Sequence, residues 1–71
     1  MTKSILILRA DEQEKLLRSG YVEIHDPERG CMQVWLLFDE LRPGIAGKQV
    51  RLNVVRAGTA AIIISPEEGD R

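Results

Sequence analysis

Apolar and polar residues alternate with a period of two along most of this chain, and one short stretch switches to a helical period. Residues 4–9 (SILILR) are a near-continuous apolar run, the pattern of a buried strand. Asp11 follows as an N-cap with Glu14 three positions on, a capping-box spacing. Acids at Asp11, Glu12 and Glu14 suit the positive end of a helix dipole, and Lys15 and Arg18 suit its negative end. With Gly20 as the stop, the pattern predicts a helix over 11–19. Residues 21–26 (YVEIHD) alternate, with Val22 and Ile24 on one face and Tyr21, Glu23 and His25 on the other. The stretch Asp26-Pro27-Glu28-Arg29-Gly30 is turn chemistry, so a strand over 31–39 should fold back on 21–26 as a hairpin.

Residues 41–48 contain Pro43, Gly44 and Gly47 and read as a loop. A strand over 49–56 alternates, with Val50, Leu52 and Val54 inward and Arg51 and Asn53 outward. Ala57-Gly58 turns the chain into a last strand over 59–65, which Pro66 should stop, leaving 66–71 as a frayed tail. The order β-α-β-β-β-β predicts a single small α+β domain over 1–71, mostly β. Its form should be an antiparallel sheet or partly closed barrel with one short helix. The expected core is Ile5, Ile7, Leu16, Leu17, Val22, Ile24, Val34, Leu36, Phe38, Val50, Leu52, Val54, Ile62 and Ile64.

Five strands and one helix cannot cover both faces of a sheet. The second face nevertheless carries Trp35, Leu37, Val55 and Ile63 on this register, and uncovered apolar patches mark interfaces. These four residues are the expected protein interface, and a homodimer is the expected state. Size points the same way, because 71 residues make a small core. Neither a disulfide nor a metal cluster is available as a staple: Cys31 is the only cysteine, and it and His25 are the only soft ligands. One cysteine fits a reducing, cytoplasmic compartment. The run 5–8 is too short for a membrane span or a signal core.

Net charge is −1, but its distribution is uneven. Residues 1–40 hold five basic and eight acidic side chains, whereas 41–65 hold Arg42, Lys48, Arg51 and Arg56 and no acid. This basic segment is a candidate nucleic-acid surface, because cationic side chains on a sheet can track phosphates. The competing reading pairs those arginines with acids on neighbouring strands. His25 and Cys31 flank the hairpin turn and form a candidate thiol–imidazole pair, although no sequence pattern supplies an oxyanion hole. Pro43 to Lys48 lacks the glycine spacing, the following Ser or Thr and the succeeding helix of a phosphate loop.

Two stretches resemble the carbon storage regulator family of small RNA-binding repressors: Gly47-Lys48-Gln49-Val50-Arg51-Leu52, and Ala61-Ile62-Ile63-Ile64 leading to Glu67-Glu68. Residues 5–9 resemble that family's opening strand. The resemblance implies a short, β-rich, interlocked dimer that binds RNA along edge strands. The family's RNA-contacting arginine falls near Ser65-Pro66 here, where no arginine stands. The opening strand–helix–glycine–strand, residues 5–24, is similar to the start of PUA- and ASCH-type domains, which implies RNA or modified-nucleotide binding.

The sequence therefore predicts a non-enzymatic regulatory or interaction module that binds a protein partner as adaptor or inhibitor and needs no cofactor or metal. By analogy, small bacterial or phage regulators look like this. The alternatives are an RNA- or DNA-binding regulator using residues 42–56, and more remotely a thiol enzyme using Cys31.

Overall fold

A computed structural model describes residues 2–47 and 50–67. The strands are β1 (Thr2–Ile7), β2 (Tyr21–Asp26), β3 (Gly30–Trp35), β4 (Arg51–Ala57) and β5 (Ala60–Pro66). Helix α1 (Ala10–Ser19) joins β1 to β2, and α2 (Arg42–Ala46) lies between β3 and β4. The strands form one sheet in the order β1-β4-β5-β3-β2. Neighbours are antiparallel except β3 and β5, which run parallel through Gln33↔Ala60, Val34↔Ala61 and Trp35↔Ile62. The expected small, mostly β α+β class is found, but the sheet is mixed and not closed, where an antiparallel sheet or partly closed barrel was expected. Two short helices replace the single one expected.

The second helix was hidden by its composition. Pro43 and Gly44 read as loop, yet Pro43 sits in the helix's first turn, where a missing N–H leaves no orphan. That one turn points Ile45 into the core, where it is fully buried. Helix α1 starts at Ala10, one residue before the expected 11–19, and its N-cap lies two residues before the one expected. Arg9, not Asp11, is the N-cap, and its backbone N–H donates to the Glu12 carboxylate at 2.9 Å. Gly20 ends the helix as predicted, in the left-handed conformation with φ 79°, and its N–H donates to the Leu16 carbonyl.

The concave face holds the core: Leu6 and Leu8, Val22 and Ile24, Met32, Val34 and Leu36, Leu52 and Val54, and Ala61 and Ile63, closed over by Leu16 and Ile45 from the helices. This corrects the expected phase of two strands. Ile5 and Ile7 are exposed and their neighbours Leu6 and Leu8 are buried; Ile62 and Ile64 are half-buried while Ala61 and Ile63 form the core. Pairing decides the phase, because partners across a ladder share a face. Leu6 lies opposite Leu52, and Ile63 lies opposite Val54. The register of β4 on β5 shifts between Asn53 and Val54, so Ile64 is an extra residue, a bulge in β5. Strand β3 ends at Trp35, and Phe38, expected inside, is exposed. Val50, also expected inside, is half-buried.

Pro66 does not stop the last strand; it still pairs with Leu52, and the Glu67 N–H donates to the Arg51 carbonyl. The remainder of the expected frayed tail, 68–71, lies outside the described residues.

One arginine fixes the curvature. β1 and β2 are opposite edges, about 19 Å apart in a flat sheet at ~4.8 Å per strand. Arg29, in the β2–β3 turn, nevertheless donates to the Ile7 carbonyl at the end of β1 (3.1 Å). The same guanidinium holds Glu12 of α1 at 2.7 and 2.9 Å and Asp26 at 2.7 Å. No arginine side chain spans a flat sheet, so the sheet must curl until its two edges approach at this end. All three ionised side chains are largely buried. Arg29 holds the Glu12 carboxyl below the usual carboxylate range, and its backbone N–H and side chain do the same for Asp26. Among the described residues, no helix is long and apolar enough to cross a membrane.

Candidate functional site

Both helices pack on the concave side, so among the described residues no helix covers the convex face. Its central row crosses all five strands. Lys3 of β1 pairs with Val55 of β4, Val55 with Ile62 of β5, Ile62 with Trp35 of β3, and Trp35 with Tyr21 of β2. Partners across a ladder project from the same face, so Val55, Ile62, Trp35 and Tyr21 make a continuous apolar band. The Tyr21 and Trp35 rings meet with centroids 4.4 Å apart at a 45° tilt. Trp35 remains 40% exposed, and Leu37, just past the end of β3, is 58% exposed.

Of the four residues expected at the interface, Trp35 and Leu37 are thus exposed and Val55 is half-buried on the convex face. Ile63 is not part of it. It is fully buried opposite Val54, and Ile62 takes the place that the sequence reading gave it. The run of three isoleucines carries no polar residue to mark which one faces out.

A chain of polar groups runs beside the apolar band. Cys31 lies directly opposite His25 in the hairpin, with Sγ 2.8 Å from Nδ1. The other ring nitrogen, Nε2, is 3.3 Å from Glu23 Oε1. Glu23 in turn accepts from the Tyr21 hydroxyl and the Gln33 amide. The Gln33 carbonyl oxygen accepts from the Thr59 hydroxyl at 2.9 Å. The hydrogen bond from His25, then that from Tyr21, holds the Glu23 carboxyl below its usual range, whereas desolvation and then Glu23 push the Tyr21 phenol up. A carboxylate can only accept, so the neutral tautomer that suits both contacts is the one with its proton on Nε2, which turns the Nδ1 lone pair to the thiol. Sequence placed His25 beside Cys31 but assigned no third group. The signal was present, because Glu23 and His25 are two apart on a strand and so share a face. The three groups lie in a line instead of converging, and among the described residues no cluster of His, Cys, Asp and Glu is arranged to hold a metal ion.

The basic segment is dispersed. Arg42 donates to the Leu17 carbonyl and lies 3.5 Å from Asp39. Arg51 pairs with Glu67, which raises its pKa. Arg51 and Arg56 are five positions apart on β4 and so project to opposite faces. Arg56 borders a shallow groove of about 330 Å³ with Thr2, Ser4 and Gly58. Lys48 lies outside the described residues. A second open groove, about 370 Å³, runs between the end of α1 and β2 and is lined by Lys15, Arg18, Ser19, Tyr21, Val22 and Glu23. Set against known proteins, the chain matches no family model, no curated protein and no solved structure.

Proposed function

We propose that this chain is a non-catalytic interaction module that binds a protein partner through the convex face of its sheet. The observation that carries the reading is the uninterrupted row Val55, Ile62, Trp35 and Tyr21 on the one face that neither helix covers. Alternating strands ordinarily turn polar residues to such a face. A tyrosine and a tryptophan in tilted ring contact within an aliphatic strip are the composition of an interface centre. A second copy of the chain is the simplest partner, because a two-fold interface needs only one self-complementary patch.

Light scattering over a concentration series tests this. The expected mass is that of a dimer, falling to a monomer in Ile62→Asp with unchanged circular dichroism. If wild type stays monomeric and captures no protein from cell extract beyond what Ile62→Asp captures, the reading is wrong.

Nucleic-acid binding through Arg42, Lys48, Arg51 and Arg56 ranks behind it. Two of those charges have carboxylate partners, and Arg51 and Arg56 project from opposite faces. A gel shift that weakens steeply with salt and disappears in Arg51→Ala/Arg56→Ala would reverse the ranking.

A further inference from the structure

We infer that Cys31 is a reactive thiol that takes up small disulfides, forming a stable mixed disulfide on the convex face. The inference rests on the in-line set Cys31, His25 and Glu23. A nucleophile, a base within hydrogen-bonding reach and a third group that orients the base are the parts of an activated thiol. Here they are 2.8 and 3.3 Å apart. Glu23 lies against Nε2 and Cys31 against Nδ1, so the tautomer with its proton toward Glu23 turns the Nδ1 lone pair to Sγ. Cys31 is exposed, so a reagent can reach it.

The surroundings select the reaction. Acyl transfer needs N–H donors aimed at an oxyanion above the nucleophile. Backbone N–H groups of strands lie in the plane of the sheet, along the ladder, and do not point at an atom standing above its face. Disulfide exchange forms no oxyanion. The Cys31 sulfur attacks one sulfur of the reagent, and a new S–S bond forms as the reagent's S–S bond breaks. The electron pair leaves with the second sulfur. Nδ1 of His25 takes the thiol proton and returns it to that leaving thiolate. The sum is Cys31–SH plus RSSR giving Cys31–SSR plus RSH, with Cys31 oxidised and the reagent reduced.

The chain has no second cysteine. No internal thiol can therefore displace the adduct, and the modification persists until an external thiol removes it. The reaction is stoichiometric, so it goes beyond the binding role without making the protein an enzyme. The adduct would stand on the same face as the apolar band, one β3 outward position (Gln33) short of Trp35.

The test uses the full chain with oxidised glutathione as the probe, and mass spectrometry to follow one glutathionyl adduct. Cys31→Ser serves as the blank. Wild type should react about tenfold or more faster than N-acetylcysteine at the same pH, and both His25→Ala and His25→Asn should fall to that free-thiol rate. Both His25 and Glu23 are exposed, so these variants keep the fold, which circular dichroism checks. Free imidazole should restore part of the rate in His25→Ala and leave wild type unchanged. Glu23 acts as a positioning residue. Its replacement by Gln should slow wild type several-fold but leave His25→Ala unaffected, since a group acting through His25 has nothing to act on once the ring is gone. Wild type reacting no faster than N-acetylcysteine, or the two His25 variants reacting like wild type, would overturn the inference.

Discussion

The two faces of this sheet are built from the same strands, but their apolar residues have different work. On the concave face, side chains from every strand and both helices close into a core that is wholly apolar among the described residues. On the convex face, an apolar band and a polar chain run side by side and are left open. An aromatic pair, a thiol–imidazole contact and a row of aliphatic groups stand there where solvent-facing polar residues would suffice, and the proposed binding face rests on them.

Paired truncations can break that division. Ile63→Ala and Ile45→Ala, which remove fully buried side chains, should each cost about 3 kcal/mol by urea unfolding. Ile45 is the sharper of the two, because a large loss there requires α2 to be part of the core. Next comes the edge clamp. Arg29→Ala should cost about 2 kcal/mol, since it strips charged hydrogen bonds from Glu12, Asp26 and the Ile7 carbonyl at once. Ile62→Ala, one residue from Ile63 but on the other face, should cost under about 1 kcal/mol. A loss at Ile62 equal to that at Ile63 would erase the distinction between the faces.

The smallest expected effect is a pH dependence with a defined sign. Glu12 and Asp26 have lowered pKa values in the folded state, chiefly through Arg29. Their contribution is therefore present above the unfolded carboxyl values of about 4 and is lost as pH falls through the lower folded values. Thermal melts at pH 7 and pH 3 should show a larger drop for wild type than for Arg29→Ala. Equal drops would mean that the clamp is not the acid-sensitive part.

How much of this was legible in the sequence depends on whether polar residues mark the phase. In 21–26, Glu23 and His25 label one face, and Val22 and Ile24 were correctly placed inside. In 49–56, Arg51 and Asn53 do the same for Leu52 and Val54. The runs 5–8 and 61–64 contain only apolar residues, so their alternation has no visible origin, and both were assigned inside out. Only pairing with β4, which itself is marked, fixes them, and pairing is not a local property. The parallel β3–β5 contact was equally hidden, because adjacency in sequence favours hairpins. Helix α2 failed for a different reason: a single turn is too short to show a period, and its proline and glycine suit a loop as well. At the candidate site, the thiol and imidazole were legible from the hairpin turn, whereas the band needed the phase of β5 and was wrong by one residue, Ile63 for Ile62.

The bond from Arg29 to Ile7 has one more effect. The Leu8 N–H bonds to the carbonyl of Val50, just before β4, and carbonyl and amide directions alternate along a strand, so Lys3, Ile5 and Ile7 turn their peptide groups to the side of β1 where no described strand pairs. An incoming strand would find the Ile7 oxygen already taken and a cation at Lys3, with a single unguarded rung at Ile5 between them. Two isoleucines on a free margin would ordinarily invite amyloid-like stacking. Here the guanidinium that bends the sheet also shortens the template below a useful length.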